Sequence, residues 1–127
     1  MSIRMAVRSV LEDLMEKLRE EIIGCAVSTM NGLVISSAAL PSVSSRLNSR
    51  RISKLGEIVS KMILGVKEEF RGMKIKSITI KGSKGYMISI AVNDILLLIL
   101  TSEKPNLGLI LNEIGSVSRR LKEMLER

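Results

Sequence analysis

The chain has 127 residues, with 20 Lys plus Arg against 13 Asp plus Glu, a net charge of +7 and no histidine. Hydrophobic residues make up 46%, but only Tyr86 and Phe70 are aromatic, so any core is built from Ile, Leu, Val and Met. This composition excludes a disordered chain. The lack of histidine beside a single cysteine excludes a zinc site and His-based acid–base catalysis.

The length argues for one domain over residues 1–127. Size scaling gives roughly 6,700 Å² of accessible surface when folded, about one-third of the extended chain's. The first segment, Ile3 to Glu20, places Ile3, Val7, Val10, Leu11, Leu14 and Leu18 on a 3.6-period stripe, which predicts a helix capped by Ser2. This amphipathic start differs from a signal-peptide apolar segment. Ile22 to Thr29 then reads as a strand, ending in the Asn31-Gly32 hairpin signal and returning through Leu33 to Ser37. Gly24, Ala26 and Ser28 keep one face of the first strand small, as a closely packed helix requires.

Ala39 to Ser49 reads as a loop with a basic far end. A second helix is predicted from about Arg50 to Arg71, with Ile52, Leu55, Val59, Met62, Ile63, Val66 and Phe70 on its stripe, Ile58 widening it and Gly72 as the stop. Three strands follow: Lys74 to Lys81, Tyr86 to Val92 and Ile95 to Thr101, joined by Gly82–Gly85 and Asn93-Asp94 turns. The unbroken run Ile95 to Leu100 belongs in the centre of the sheet. The lysine- and hydroxyl-dotted Lys74–Lys81 belongs at an edge, where Ile78 and Ile80 invite pairing with another chain. A last helix opens at Asn106, with Leu107, Ile110, Leu111, Ile114, Val117, Leu121 and Leu125 on its buried side. The order α-β-β-α-β-β-β-α with hairpin-length links predicts an α+β fold, a five-stranded antiparallel sheet with helices on both faces.

Catalytic constellations are missing. Gly82-Ser83-Lys84-Gly85 lacks P-loop spacing and joins two strands. Cys25 reads as a small buried hydrophobe. Glu20-Glu21 and Glu68-Glu69 are adjacent pairs that do not share a helix face. The chain is therefore expected to be neither an enzyme nor a cofactor carrier. The longest apolar run is too short to span a membrane, and one cysteine gives no sign of secretion, so a cytoplasmic location is expected. The basic clusters Arg46/Arg50/Arg51/Lys54, Lys74/Lys76/Lys81/Lys84 and Arg119/Arg120/Lys122 are interspersed with glutamates and hydroxyls. The default for such clusters is a solvated surface; beyond it they favour an acidic protein partner over nucleic acid, for which aromatic stacking platforms are also too few. The abundance of Lys, Arg, Glu and Ile without His is thermophile-like.

Gly24 to Pro41 (GCAVSTMNGLVISSAALP) and Ile80 to Ile110 (IKGSKGYMISIAVNDILLLILTSEKPNLGLI) resemble the roadblock family, the dynein-light-chain-type domains that include bacterial and archaeal partners of Ras-like GTPases. The resemblance spans essentially the whole chain and implies a sheet of the kind found in profilin and longin domains, with no catalytic motif. It implies a homodimer through the third strand and second helix, here Lys74, Lys76, Ser77, Ile78, Thr79 and Ile80 with Leu55, Ile58, Val59 and Met62. It also implies a small GTPase docked on or near the second-helix surface, where Arg46, Arg50, Arg51, Lys54, Glu57, Lys61 and Glu68 are the exposed candidates. A non-catalytic dimeric scaffold or regulator of a Ras-like GTPase is thus the leading expectation, and a basic nucleic-acid-associated module the alternative.

Overall fold

The computed structural model describes residues 2–126. The chain runs α1 (Ile3–Lys17), β1 (Ile22–Thr29), β2 (Val34–Ala39), α2 (Pro41–Ser44), α3 (Ser49–Glu69), β3 (Ser77–Gly82), β4 (Gly85–Val92), β5 (Ile95–Thr101) and α4 (Leu107–Leu125). Caps fix the helix starts as side-chain chemistry dictates: Ser2 Oγ accepts from the Met5 amide, Asn48 Oδ1 from Arg51 and Asn106 Oδ1 from Leu109.

The strands form one antiparallel sheet in the order β2-β1-β5-β4-β3. β5 is central, as its uninterrupted apolar run requires, and β3 is an edge. In register, Ala26 and Ser89 flank Leu98 from either side, and Thr79 faces Ile88. β1 presents Cys25 and Val27 to one layer and Ala26 to the other. On the first face, α1 and α4 pack side by side, burying Leu11, Leu14, Ile110 and Leu121. Ion pairs between Lys17 and Glu113 (3.7 Å) and between Arg120 and Asp13 (3.6 Å) join the two helices at their rim. Such partly exposed pairs contribute about 0–1 kcal/mol each.

The opposite face carries one long helix, α3, with Ile52 and Val59 closed over Ala26, Leu96 and Leu98. The small face of β1 permits this approach. A Cβ at Gly56 would lie 2.7 Å from Ser28 Oγ, so only glycine lets α3 descend to that distance.

Several boundaries differ from expectation. α1 stops at Lys17, three residues short of Glu20, where Leu18 leaves helical geometry at φ −115° and ψ 39° and the Glu21 and Ile22 amides close a turn onto its carbonyl. The expected loop contains the helical turn α2, which Pro41 starts. β2 begins and ends later than Leu33–Ser37, at Val34 and Ala39. β3 begins at Ser77, not Lys74, since residues 74–76 are still crossing from the end of α3, although the Lys76 carbonyl already accepts from Ala91 (2.9 Å). Ile3 and Leu111 are exposed. Ile3 lies in the first turn of α1, and Leu111 falls beside the narrow strip of Ile110, Ile114, Val117 and Leu121 that α4 shares with α1 and the sheet.

Candidate functional site

α3 changes character along its length. Over its first half, Ile52, Gly56 and Val59 are buried at helical spacing. Beyond Val59 the stripe is only partly covered: Ile63 stays half-buried against the Ala26 and Leu98 layer, while the flank and the end of the helix overhang open surface. Met62 is 38% exposed, Val66 39% and Phe70 57%, with Ile58 and Leu64 exposed beside them. Gly72, at φ +83°, then turns the chain towards β3. Under this overhang, Met30, Ile63, Met73 and Ala91 line an open recess of about 450 Å³ that Lys67, Lys74 and Lys76 border.

The edge strand β3 continues this apolar zone. It pairs with β4 on one side only. Ile78 is half-buried against the α3 layer, while Ile80 on the same face is 41% exposed. Ser77 and Thr79 point to the other face and are exposed, because α1 and α4 do not extend as far as β3.

The expected interface residues therefore separate into three groups. Ile58, Met62, Ser77, Thr79 and Ile80 are exposed and contiguous with the overhang or the edge, while Leu55 and Ile78 are half-buried. Lys74 and Lys76 are exposed but precede the strand. Val59 is a correction: it is fully buried in its own core, because its position in the stripe falls directly over Ala26 and Leu98, and it offers nothing to a second chain.

The expected partner residues also divide. Arg46, Arg51 and Lys54 gather around one groove of about 600 Å³, together with Lys84 from the β3–β4 turn. Its floor is aliphatic: Ile23, Val43, Leu47, Leu55 and Leu100. Arg50, Lys61 and Glu68 are exposed on α3 away from it, and Glu57 is half-buried beside the β1–β2 turn at Gly32. The sequence signal for Lys84 was its membership of a basic cluster. The floor gave none, because β1, the α2 region, α3 and β5 each supply only one or two of its residues.

Cys25 is buried, donates weakly from Sγ to the Leu11 carbonyl (3.7 Å), and burial pushes its thiol from an ordinary 9.0 up to about 12, which suppresses the reactive thiolate. Among the described residues there is no cluster of three or more His, Cys, Asp or Glu side chains able to hold a metal. No helix among them is long and apolar enough to cross a membrane. The basic clusters on α3 and α4 lie on opposite faces of the sheet.

In three dimensions this arrangement is a known one. The structure of Myxococcus xanthus MglB superposes with a TM-score of 0.82 over 97% of this chain and 90% of that one, at 16% identity. A Roadblock/LC7 domain from Streptomyces avermitilis gives 0.77 over 94% and 98%, at 12% identity. The chain has a roadblock-type fold. Acanthamoeba castellanii profilin IB shares the wider architecture, with a TM-score of 0.64 over 91% and 96% at 11% identity. At the level of sequence, no family model and no curated protein matches the chain. The roadblock-type fold accounts for a sheet with two helices on one face, one long helix on the other and an open edge at β3.

Proposed function

We propose that this roadblock-type chain is a non-catalytic, cytoplasmic scaffold or regulator that pairs with a second copy and binds a Ras-like small GTPase. The observation that carries the pairing is the apolar overhang of α3, running from Met62 to Phe70 beside an unpaired β3 edge. The chain exposes 8026 Å², about 1,300 Å² more than the roughly 6,700 Å² expected for a compact monomer of its mass. A standard interface covers about 800 Å² per partner, so a second copy on this face removes much of that excess. Antiparallel pairing of two β3 strands about a two-fold axis would satisfy the free amides and carbonyls of both edges.

The GTPase part of the reading rests on the resemblance to roadblock domains and on exposed charged residues along α3, Arg50, Lys61 and Glu68 among them. The nucleic-acid reading gains nothing from the surface, where the cations of α3 and α4 face opposite ways and form no single stripe. Light scattering is expected to give the mass of a dimer. Co-elution with a Ras-like GTPase from the same genome is expected to depend on whether GDP or a GTP analogue is bound. A strict monomer that ignores every such GTPase in both nucleotide states overturns the proposal.

A further inference from the structure

The groove at the N-terminal end of α3 combines two properties that the fold itself does not require. Its floor is aliphatic but unfilled. A Cβ at Gly24 would lie 2.6 Å from Leu47 Cδ2, so glycine allows Leu47 to sink onto β1, and Leu47, Leu55 and Leu100 remain only half-buried around the depression. Its rim is uniformly positive. Arg46 precedes α3, Arg51 and Lys54 share one face of its first turns at i,i+3 spacing, and Lys84 reaches in from the β3–β4 turn.

No carboxylate lines the groove, and among the described residues the cations found in ion pairs are Arg8, Lys17 and Arg120. The first turn of α3 holds no acidic residue, so Arg50 and Arg51 sit at the positive end of the helix dipole. Four like charges around an apolar floor repel one another, screened by solvent, and none of them is ion-paired among the described residues.

We propose that this groove receives an acidic amphipathic helix of a protein partner. Its aliphatic side lies on Leu47, Leu55 and Leu100, and its Asp and Glu residues meet Arg46, Arg51, Lys54 and Lys84. The volume falls within the about 300–1,000 Å³ typical of clefts that bury compact groups, which suits the anchors of a short helix. The shape favours a helix over a lipid bilayer, because a recessed floor cannot reach into a flat membrane, whereas projecting side chains can enter it. The proposal stands independently of the partner's being a GTPase.

The test uses the full chain and a labelled peptide with Leu at i, i+3, i+4 and i+7 and Glu on the flanks, followed by fluorescence anisotropy. Saturable binding that weakens with salt is expected. Lys84→Glu and Arg51→Glu are each expected to weaken it by about tenfold, since a like charge is then placed against the peptide's carboxylates. Arg119→Glu on α4 makes the same change in net charge on the opposite face and is expected to leave binding unchanged.

Absence of saturable binding overturns the proposal, and so does equal weakening by Lys84→Glu and Arg119→Glu. Binding to phosphatidylserine vesicles but not to the peptide, with the same Lys84→Glu sensitivity, assigns the groove to a membrane and overturns it. Loss of self-association in Lys84→Glu without any peptide binding assigns the groove to a second copy and likewise overturns the proposal. Peptide binding by a chain that ignores every GTPase supports this inference while removing the GTPase part of the previous one.

Discussion

The two faces of the sheet are built from the same residue types and end in different states. The α1/α4 face has two helices side by side and closes over Leu11, Leu14, Leu97, Ile110 and Leu121. The α3 face has one helix for the same sheet and a smaller buried hydrophobic cluster of Ala26, Ile52, Val59, Leu96 and Leu98, leaving an apolar strip and a groove open. Amphipathicity does not separate them, since α1, α3 and α4 all carry regular apolar stripes. What differs is the area available to receive the stripe. A single helix cannot cover five strands, and its end overhangs them.

If the closed face carries the stability, truncation there is the most costly change. Leu14→Ala, in a site with almost no exposure, is expected to destabilise the monomer by about 2–5 kcal/mol in urea unfolding at dilute concentration. A loss below about 0.5 kcal/mol would erase the contrast between the faces.

The closed face also holds Cys25, whose buried thiol remains protonated to about pH 12 while an unfolded thiol ionises near 9. Between those values the native state binds the extra proton, so stability falls as pH rises, by up to about 1.4 kcal/mol per pH unit from this group. Comparing wild type with Cys25→Ala between pH 8 and 11 isolates that slope, and identical pH dependences would contradict it.

On the α3 face the decisive contact is Gly56 on Ser28. Gly56→Ala is expected to cost about 1–3 kcal/mol by overpacking against Ser28 Oγ. That hydroxyl is buried without a hydrogen-bond partner, so adding Ser28→Ala recovers most of the loss. A double mutant as unstable as the single one would move the strain elsewhere.

The smallest expected effect on the monomer is at the overhang. Met62→Ser with Phe70→Ser is expected to cost the monomer no more than about 1 kcal/mol, most of it from the partly covered Met62. The same pair is expected to weaken self-association by tenfold or more, about 1.4 kcal/mol. Analytical ultracentrifugation across a dilution series reads both states, and an unaltered dimer would detach the overhang from assembly.

Much of the fold was legible in the residues because each device is local. Ser2 and Asn106 cap by reaching three residues on, Asn31-Gly32 and Asn93-Asp94 turn a chain that has nowhere else to go, and the run from Ile95 to Leu100 can only be central. The small face of β1 also announced the close helix above it. Far less of the candidate site was legible. Val59 and Phe70 point the same way, eleven residues apart, yet one is core and the other surface. Periodicity gives the direction of a side chain and not the extent of what lies beneath it.

By itself, then, the sequence determined the elements, their order, the central and edge strands and the absence of histidine chemistry, because propensity, capping and alternation act over a few residues. Only the tertiary structure decided which part of α3 is covered. It alone also brought Lys84 across to Arg46, Arg51 and Lys54 over a floor drawn from separate segments. Those outcomes depend on where a helix of fixed length lands on a sheet of fixed width, a long-range packing result that no window along the chain contains.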